Sequence, residues 1–211
     1  MSHRFNLFIA CAFVSATSLQ ASIFFDIQGE LLKNSSGTAI PVNALILLVA
    51  DTTNNGFANI TDGSSLALNA FLNSGDDRVL ARFDLSSSGT AGLFAEGPSL
   101  SFGGGWNETD PLALLWFPTL NLASSTVSNG TSYGLFSGPA LDGSDAWITP
   151  TDGATGHKLY FFNADATILP DSPPGSHAAG LGNASLTVVP EPSRSLLALI
   201  GIAGVAFRRR R

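Results

Sequence analysis

Short runs in which apolar and polar residues alternate dominate the chain between residues 22 and 189, and they predict β-strands. Residues 25–31 place apolar side chains at alternate positions, and residues 78–85 do so with one interruption at Leu80. Residues 42–50 are almost wholly apolar, as in a strand that is covered on both faces. The same reasoning predicts further strands at 112–117, 131–136, 146–149, 158–162 and 184–189.

Turn signals separate these runs, among them Asn54-Asn55-Gly56, three glycines at 103–105 and Pro173-Pro174-Gly175. About eight short strands with such turns predict an all-β fold, a single β-sandwich or jelly-roll-like domain over residues 22–188. One short helix is predicted at 64–72, and an irregular loop at 170–182. The predicted core residues are Phe83, Trp116, Trp147 and Phe161.

The first 21 residues have the pattern of a secretory signal peptide, expected to be helical. His3 and Arg4 precede an apolar stretch at 7–14, and Leu19-Gln20-Ala21 forms a small-residue cleavage site. We expect cleavage after Ala21, and the remaining alternative is an ordinary first strand. The only cysteine, Cys11, lies inside this segment, so the mature body has neither disulfides nor thiol chemistry.

The last 23 residues contain an apolar run, 196–207, between a proline-rich motif and four arginines. Twelve residues cover about 18 Å as a helix, which is short for a hydrocarbon core of about 30 Å. Arg194 and neighbouring serines would have to extend the span, while the final arginines should remain in the cytoplasm. A short transmembrane helix with a basic stop suits a processing signal better than a lasting anchor.

The order Pro-Glu-Pro, short apolar helix and terminal arginine cluster resembles the PEP-CTERM sorting signal of bacterial surface proteins. The resemblance covers 189–211 and implies an exosortase-type membrane protease as partner, together with the secretion translocon and a transient stay in the bilayer. It assigns the sorting motif to Val189, Pro190, Glu191 and Pro192, and the basic stop to Arg208, Arg209, Arg210 and Arg211. The alternatives are a plain tail anchor or a C-terminal helix docked on a soluble core.

The body between the two signals is strongly acidic. It has four bases against fifteen acids, a net charge of −11. Nucleic acid is therefore excluded as a partner, and neutral polymers such as exopolysaccharide or divalent cations suit the charge better. The plain alternative is that the charge serves solubility.

Two patterns could carry chemistry. Gly130-Thr131-Ser132-Tyr133-Gly134 matches Gly-x-Ser-x-Gly, with Asp142 and His157 after it in the order of α/β-hydrolases. The residues that follow cannot form the helix this motif needs, so we predict no catalytic residue. Residues 51–62 match part of a calcium loop, with Asp51 and Asp62 at its ends, but an Asn/Asp-rich turn is the preferred interpretation. We predict no metal site and no cofactor.

The sequence thus predicts an exported protein of the bacterial cell surface or extracellular matrix, with a non-catalytic structural or adhesive body. The alternatives are a carbohydrate-binding module and a secreted hydrolase acting on polysaccharide. Trp106, beside the triple glycine, is the candidate for an exposed sugar-stacking aromatic. The role and ligand of the body are not determined by these patterns.

Overall fold

The computed structural model describes residues 22–72, 75–141, 143–163, 176–177 and 180–190. The predicted signal peptide, Asp142, most of the predicted loop at 170–182, and the tail from Glu191 onward lie outside these ranges. Within them the protein is all-β, which confirms the predicted class, and no helix there could span a bilayer. The strands are β1 Ile23–Glu30, β2 Leu45–Asp51, β3 Asp77–Phe83, β4 Phe94–Glu96, β5 Ser99–Leu100, β6 Leu112–Phe117, β7 Ser132–Phe136, β8 His157–Asn163, β9 Ser176–His177 and β10 Leu186–Thr187.

The strands form two five-stranded sheets. In sheet one the order is β4-β1-β8-β9, and β5 also pairs with β1; in sheet two it is β10-β7-β6-β2-β3. Sheet two is antiparallel throughout, whereas β1 and β8 pair in parallel, with Phe25 opposite His157. Strand β1 therefore lies inside sheet one, with β8 on one side and β4 and β5 on the other.

The two sheets bury a shared core, which makes the body consistent with a β-sandwich. Phe136 of sheet two stacks on Phe161 of sheet one with ring centroids 4.1 Å apart, and Trp116 stacks on the same ring at 5.8 Å. All four aromatic residues predicted for the core are buried; Trp147 meets Phe136 edge-on at 5.4 Å. Aromatic pairs of this geometry add to the gain from apolar burial.

Sheet two is also covered on its other face, which explains why β2 and β6 are buried at every position and apolar throughout except at Asp51. Leu47, Leu115 and Phe117 point away from sheet one and pack against segments that have no regular secondary structure. The cover includes Ile60, Leu66, Leu72, Val127 and Val188, each at most 3% exposed. Strand β2 is buried throughout, as predicted for a strand covered on both faces, although Val42 precedes it and is exposed.

The helix predicted at 64–72 is wrong. This segment is irregular, and its backbone bridges to Thr126 through Ser65 and to Arg78 through Phe71. Asn69 has a left-handed φ of 64°, which interrupts helical geometry. Because pairing across the sheet edge satisfies the backbone while Leu66 and Leu72 are buried, tertiary contacts override the local helical preference.

Two predicted strands and the predicted loop also differ from the structure. Residues 146–149 form only an isolated bridge between Ile148 and Pro111. Strand β10 is two residues long rather than six, and β9 lies where an irregular loop was predicted. Short strands such as β4 and β5 have too few residues for an alternation pattern to appear.

Candidate functional site

The outer face of β1 carries an unusual set of side chains for a strand of this fold. Ile23, Phe25 and Ile27 point into the core and are fully buried. The residues between them point outward, and the first is Phe24, whose surface is 47% exposed. Asp26 follows on the same face, half-buried, so an aromatic ring and a carboxylate lie two positions apart on one strand.

A shallow groove of about 410 Å³ opens beside this face. Strand β1 supplies one wall, and the end of β4 with the following turn supplies another. It is lined by Phe24, Phe25, Asp26, Ala95, Glu96, Gly97 and Gly156. The ring of Phe24 lies against Gly97, where an added Cβ would be 3.3 Å from the Phe24 Cζ. A side chain at position 97 would therefore press on the ring.

The Asp26 carboxylate is held in place by two neighbours. Gln28 Nε2 donates to Asp26 Oδ1 at 3.0 Å, and the Tyr160 hydroxyl donates to Asp26 Oδ2. Burial, together with this hydrogen bond and the charges of Asp26 and Asp145, raises the pKa of Tyr160 to about 12. The phenol therefore remains a donor at neutral pH, and a carboxylate with about four acceptor positions keeps some for a ligand.

Glu96 is half-buried and lies opposite Ile27 in the β1–β4 register, so its side chain leaves β4 on the face of Ile27 rather than on the face of Asp26. The residues that line the groove include no lysine or arginine. Phe24 and Asp26 lie on the outer face of β1 beside the glycine backbone of the lining. The residues that line the groove include no serine, threonine, cysteine or histidine that could form a hydrolase-like pair of nucleophile and base.

Ser132 does not lie in a hydrolase-like turn. It begins strand β7 and pairs with Thr187 of β10, so the strand-to-helix turn required by the Gly-x-Ser-x-Gly motif is missing at this place. His157, on sheet one, contacts other groups: Nδ1 lies 3.5 Å from Asp145 Oδ2, and Nε2 lies 3.3 Å from the Ala146 carbonyl oxygen. The structure shows no contact that would join Ser132 and His157 in a catalytic pair.

The segment 51–62, which matches part of a calcium loop, is held by hydrogen bonds to its own backbone. Asp51 is fully buried, and its carboxylate accepts the N–H groups of Thr53, Asn54 and Gly56 at 2.7–3.0 Å. Asp62 instead caps another turn by accepting the Asn129 N–H at 2.9 Å. Within the described ranges, no group of three or more histidine, cysteine or acidic side chains could hold a metal ion. The Asn/Asp-rich turn, the preferred interpretation, accounts for this loop.

Trp106 is not an exposed platform for sugar. It is 3% exposed and packs on Phe102 with ring centroids 4.7 Å apart. The exposed aromatic residues in the described part of the chain are Phe24 and Phe71, and the sequence reasoning singled out neither; Phe24 is the more exposed. The signal that could have found it is a phenylalanine on the polar face of an alternating strand.

The end of the body is firmly attached to sheet two. Val188 is buried and exchanges backbone hydrogen bonds with Thr131 and Gly130. Val189 forms a parallel bridge with Thr61, and its carbonyl accepts the Asp62 N–H at 2.9 Å. Pro190 follows and is exposed. Of the predicted sorting residues only Val189 and Pro190 are described; Glu191, Pro192 and the four arginines lie outside the described ranges.

Comparison with known proteins gives no further guide, because no family model, no curated protein and no solved structure matches this chain.

Proposed function

We propose that this is an exported bacterial protein of the cell surface or extracellular matrix, delivered by a removable C-terminal sorting signal. Residues 1–21 direct it to the secretion translocon, 22–188 form the extracytoplasmic body, and 189–211 are the signal. The signal consists of the motif, a short transmembrane helix at 196–207 and the arginine stop. An exosortase-type membrane protease is the partner that removes it.

The observation that carries the proposal is the position of Pro190, the first residue of the Pro-Glu-Pro motif. Backbone hydrogen bonds hold Val188 to Gly130 and Thr131 and Val189 to Ile60 and Asp62, and the next residue, Pro190, is exposed. The motif thus starts at the surface of the described body. A protease embedded in the membrane could reach it there without unfolding the described strands.

The beginning of the body supports the same division. Ile23, two residues after the expected cleavage site, is fully buried at the start of β1. The Phe24 N–H donates to the Ala154 carbonyl at 2.9 Å, so pairing starts almost at once. A leader that ends at Ala21 would leave the whole of β1 to the folded protein.

The proposed body is a non-catalytic structural or adhesive domain. The Gly-x-Ser-x-Gly match lies in a strand, and the groove lacks an activated nucleophile. The jelly-roll variant of the sandwich is part of this proposal rather than of the fold described above.

The test measures whether the C-terminal tail is removed during export. The full chain is expressed in a host with the sorting protease and in an isogenic strain without it, and the mass of the exported form is measured. We expect loss of residues near Pro190 only where the protease is present. Replacing Pro190, Glu191 and Pro192 together with alanine should leave the intact precursor in the membrane fraction.

A matched control replaces Pro173 and Pro174, which lie in the body outside the motif, and should leave processing unchanged. Equal processing of the motif variant and this control would contradict the sorting proposal. Recovery of the uncleaved protein from the membrane in both strains would instead indicate a plain tail anchor.

A further inference from the structure

We propose that the outer face of sheet one around Phe24 binds one unit of a neutral polysaccharide. A sugar ring would stack on the Phe24 side chain, and its hydroxyl groups would form hydrogen bonds with Asp26 and Lys158. This deepens the proposed adhesive function and rests on it for the polymer that the protein meets outside the cell. The binding chemistry itself depends on sheet one alone.

The strand register places Phe24 and Asp26 in the middle of a surface three strands wide. On the β8 side, Asp26 pairs with the exposed Lys158, so both side chains leave the sheet on its outer face. On the other side, Phe24 pairs with Ser99 of β5, and the same register continues into β4 and puts Gly97 beside Asp26. The aromatic ring, the carboxylate and the ammonium group therefore share one face.

Small residues around the Phe24 ring leave it open to solvent. Ala95 and Gly97 line the groove on the β4 side, and Gly156 lines it on the β8 side. A Cβ added at Gly156 would meet no atom within 4 Å. Nearly half of the Phe24 surface is exposed as a result, and an aromatic face packs well against the apolar face of another ring.

The size of the groove suits a single sugar ring. Its volume of about 410 Å³ lies at the lower end of the range of about 300–1,000 Å³ that is common for small-molecule sites. It is shallow and open to solvent, so a polymer could pass over it with one unit in contact with the sheet.

Asp26 and Lys158 supply a hydrogen-bond acceptor and a donor beside the ring. A carboxylate has about four acceptor positions, and Gln28 and Tyr160 donate to two of them. An ammonium group has three donors, while each sugar hydroxyl both donates and accepts. Because two hydrogen bonds already orient the Asp26 carboxylate, little side-chain freedom is lost when a ligand binds.

The balance of charge favours a neutral ligand. Asp26 and Lys158 lie side by side, so their opposite charges offset each other on this face. An anionic polymer would be repelled by the body, which has four bases against fifteen acids. A cationic group would meet Lys158, and Glu96 would not assist it because that side chain leaves β4 on the opposite face.

A peptide is the competing occupant, and this face does not favour it. A bound peptide usually pairs with an open strand edge, whereas β1 is paired with β8 on one side and with β4 and β5 on the other. Among the described strands of sheet one, Phe24 is the only large apolar residue that is exposed. The centre of a protein interface is usually more apolar than this.

The test is isothermal titration calorimetry with the full chain, in micelles of a zwitterionic detergent that has no sugar headgroup. The probes are neutral oligomers of β-linked glucose, α-linked glucose, mannose and galactose, a galacturonate oligomer of equal length, and a proline-rich peptide. We expect at least one neutral oligomer to bind about 5-fold or more tightly than the galacturonate oligomer. Its affinity should change by less than about 2-fold between low and high salt, because no net charge is neutralised.

Phe24→Ala should weaken binding of that oligomer about 3- to 10-fold, and Phe24→Trp should retain it. Lys158→Ala should weaken it about 2- to 5-fold, as expected for the loss of one hydrogen bond. Gly97→Thr should also weaken it, because the new side chain enters the groove while φ at this position lies outside the left-handed region.

Phe71→Ala is the matched control, since it removes an exposed ring beside β3 of sheet two, and it should leave the affinity unchanged. Unchanged thermal unfolding shows that each variant is folded.

Three results would each overturn the inference: no binding of any neutral oligomer by the folded protein, tighter binding of galacturonate, or an affinity that Phe24→Ala leaves unchanged. Tighter binding of the peptide that depends on Phe24 would overturn it in favour of a protein partner. The assay needs no processing of the tail. A failure of the sorting proposal would therefore leave its result intact, and a failure here would leave the sorting proposal standing.

Discussion

Replacing Gly134 with alanine should disturb the centre of the sandwich, because this glycine lies directly beneath the indole of Trp116. A Cβ at position 134 would lie 2.0 Å from both Cε2 and Cζ2 of that ring. Trp116 is fully buried and stacks on Phe161, and its Nε1–H donates to the Lys33 carbonyl at 3.1 Å. The indole therefore cannot move aside without losing contacts on both sides of the core.

The cost follows from three terms. Overpacking of a well-filled core costs about 1–3 kcal/mol, and a severe overlap belongs at the upper end. Loss of the indole hydrogen bond adds about 1 kcal/mol. Against this, alanine is favoured over glycine in a strand by about 0.5–1 kcal/mol, because φ at Gly134 is ordinary. We expect a net loss of about 3 kcal/mol in the free energy of unfolding, and a melting temperature lower by about 6–12 °C.

Guanidinium unfolding followed by tryptophan fluorescence measures this loss, and a double-mutant cycle tests its cause. Trp116→Phe makes room by removing part of the indole, so the double variant should be more stable than the sum of the single changes predicts, by about 1 kcal/mol or more. If Gly134→Ala is as stable as the parent protein, or if the two changes are simply additive, the packing argument is wrong.

Three further predictions concern the loop after β2 and the tyrosines. Asp51→Asn places an amide donor opposite the Gly56 N–H, so it should cost about 1–3 kcal/mol and speed hydrogen exchange at residues 53–56. Because the Asp51 carboxylate is already used by the backbone, thermal unfolding in calcium and in chelator should coincide; stabilisation by calcium would contradict this. The chain has two tyrosines, and burial raises the pKa of both, that of Tyr160 to about 12 from 10.0. The folded state thus holds these protons more tightly than the unfolded state, so the free energy of unfolding should be at its full value below pH 10 and fall as the pH rises through 12. Tyr160→Phe should make this decline less steep. Tyrosinate absorbance that appears near pH 10 without unfolding would refute the prediction.

The long strands could be predicted because their burial leaves a periodic pattern in the sequence. Residues 112–117 coincide with β6, and β1, β2, β3, β7 and β8 lie within a few residues of the predicted positions. The irregular cover over sheet two could not be predicted this way. Its apolar residues, such as Leu66 and Leu72, are positioned by backbone pairing with segments far away in the sequence. A local pattern of apolar and polar residues contains no information about that pairing.

The groove was harder to foresee than the fold. Its lining combines β1 with the three-residue strand β4 and the turn after it, and only the antiparallel pairing of these strands brings the segments together. Trp106 appeared exposed beside three glycines, yet those glycines allow the chain to fold back over it. The residue type suggested a sugar platform at Trp106, but only the tertiary arrangement shows which aromatic rings face solvent.

The interior position of β1 sets the order in which the molecule can mature. Synthesis delivers this strand first, yet its parallel neighbour β8 is made near the end of the body, and a crossover of that length closes slowly. Until β8 has been synthesised, Phe24 and Phe25 belong to an N-terminal hydrophobic segment that has no strand paired on one side. A chaperone that binds this segment during export should therefore increase the yield of folded protein. A chain truncated before residue 157 would lack β8 and would have an unpaired, aggregation-prone edge at β1.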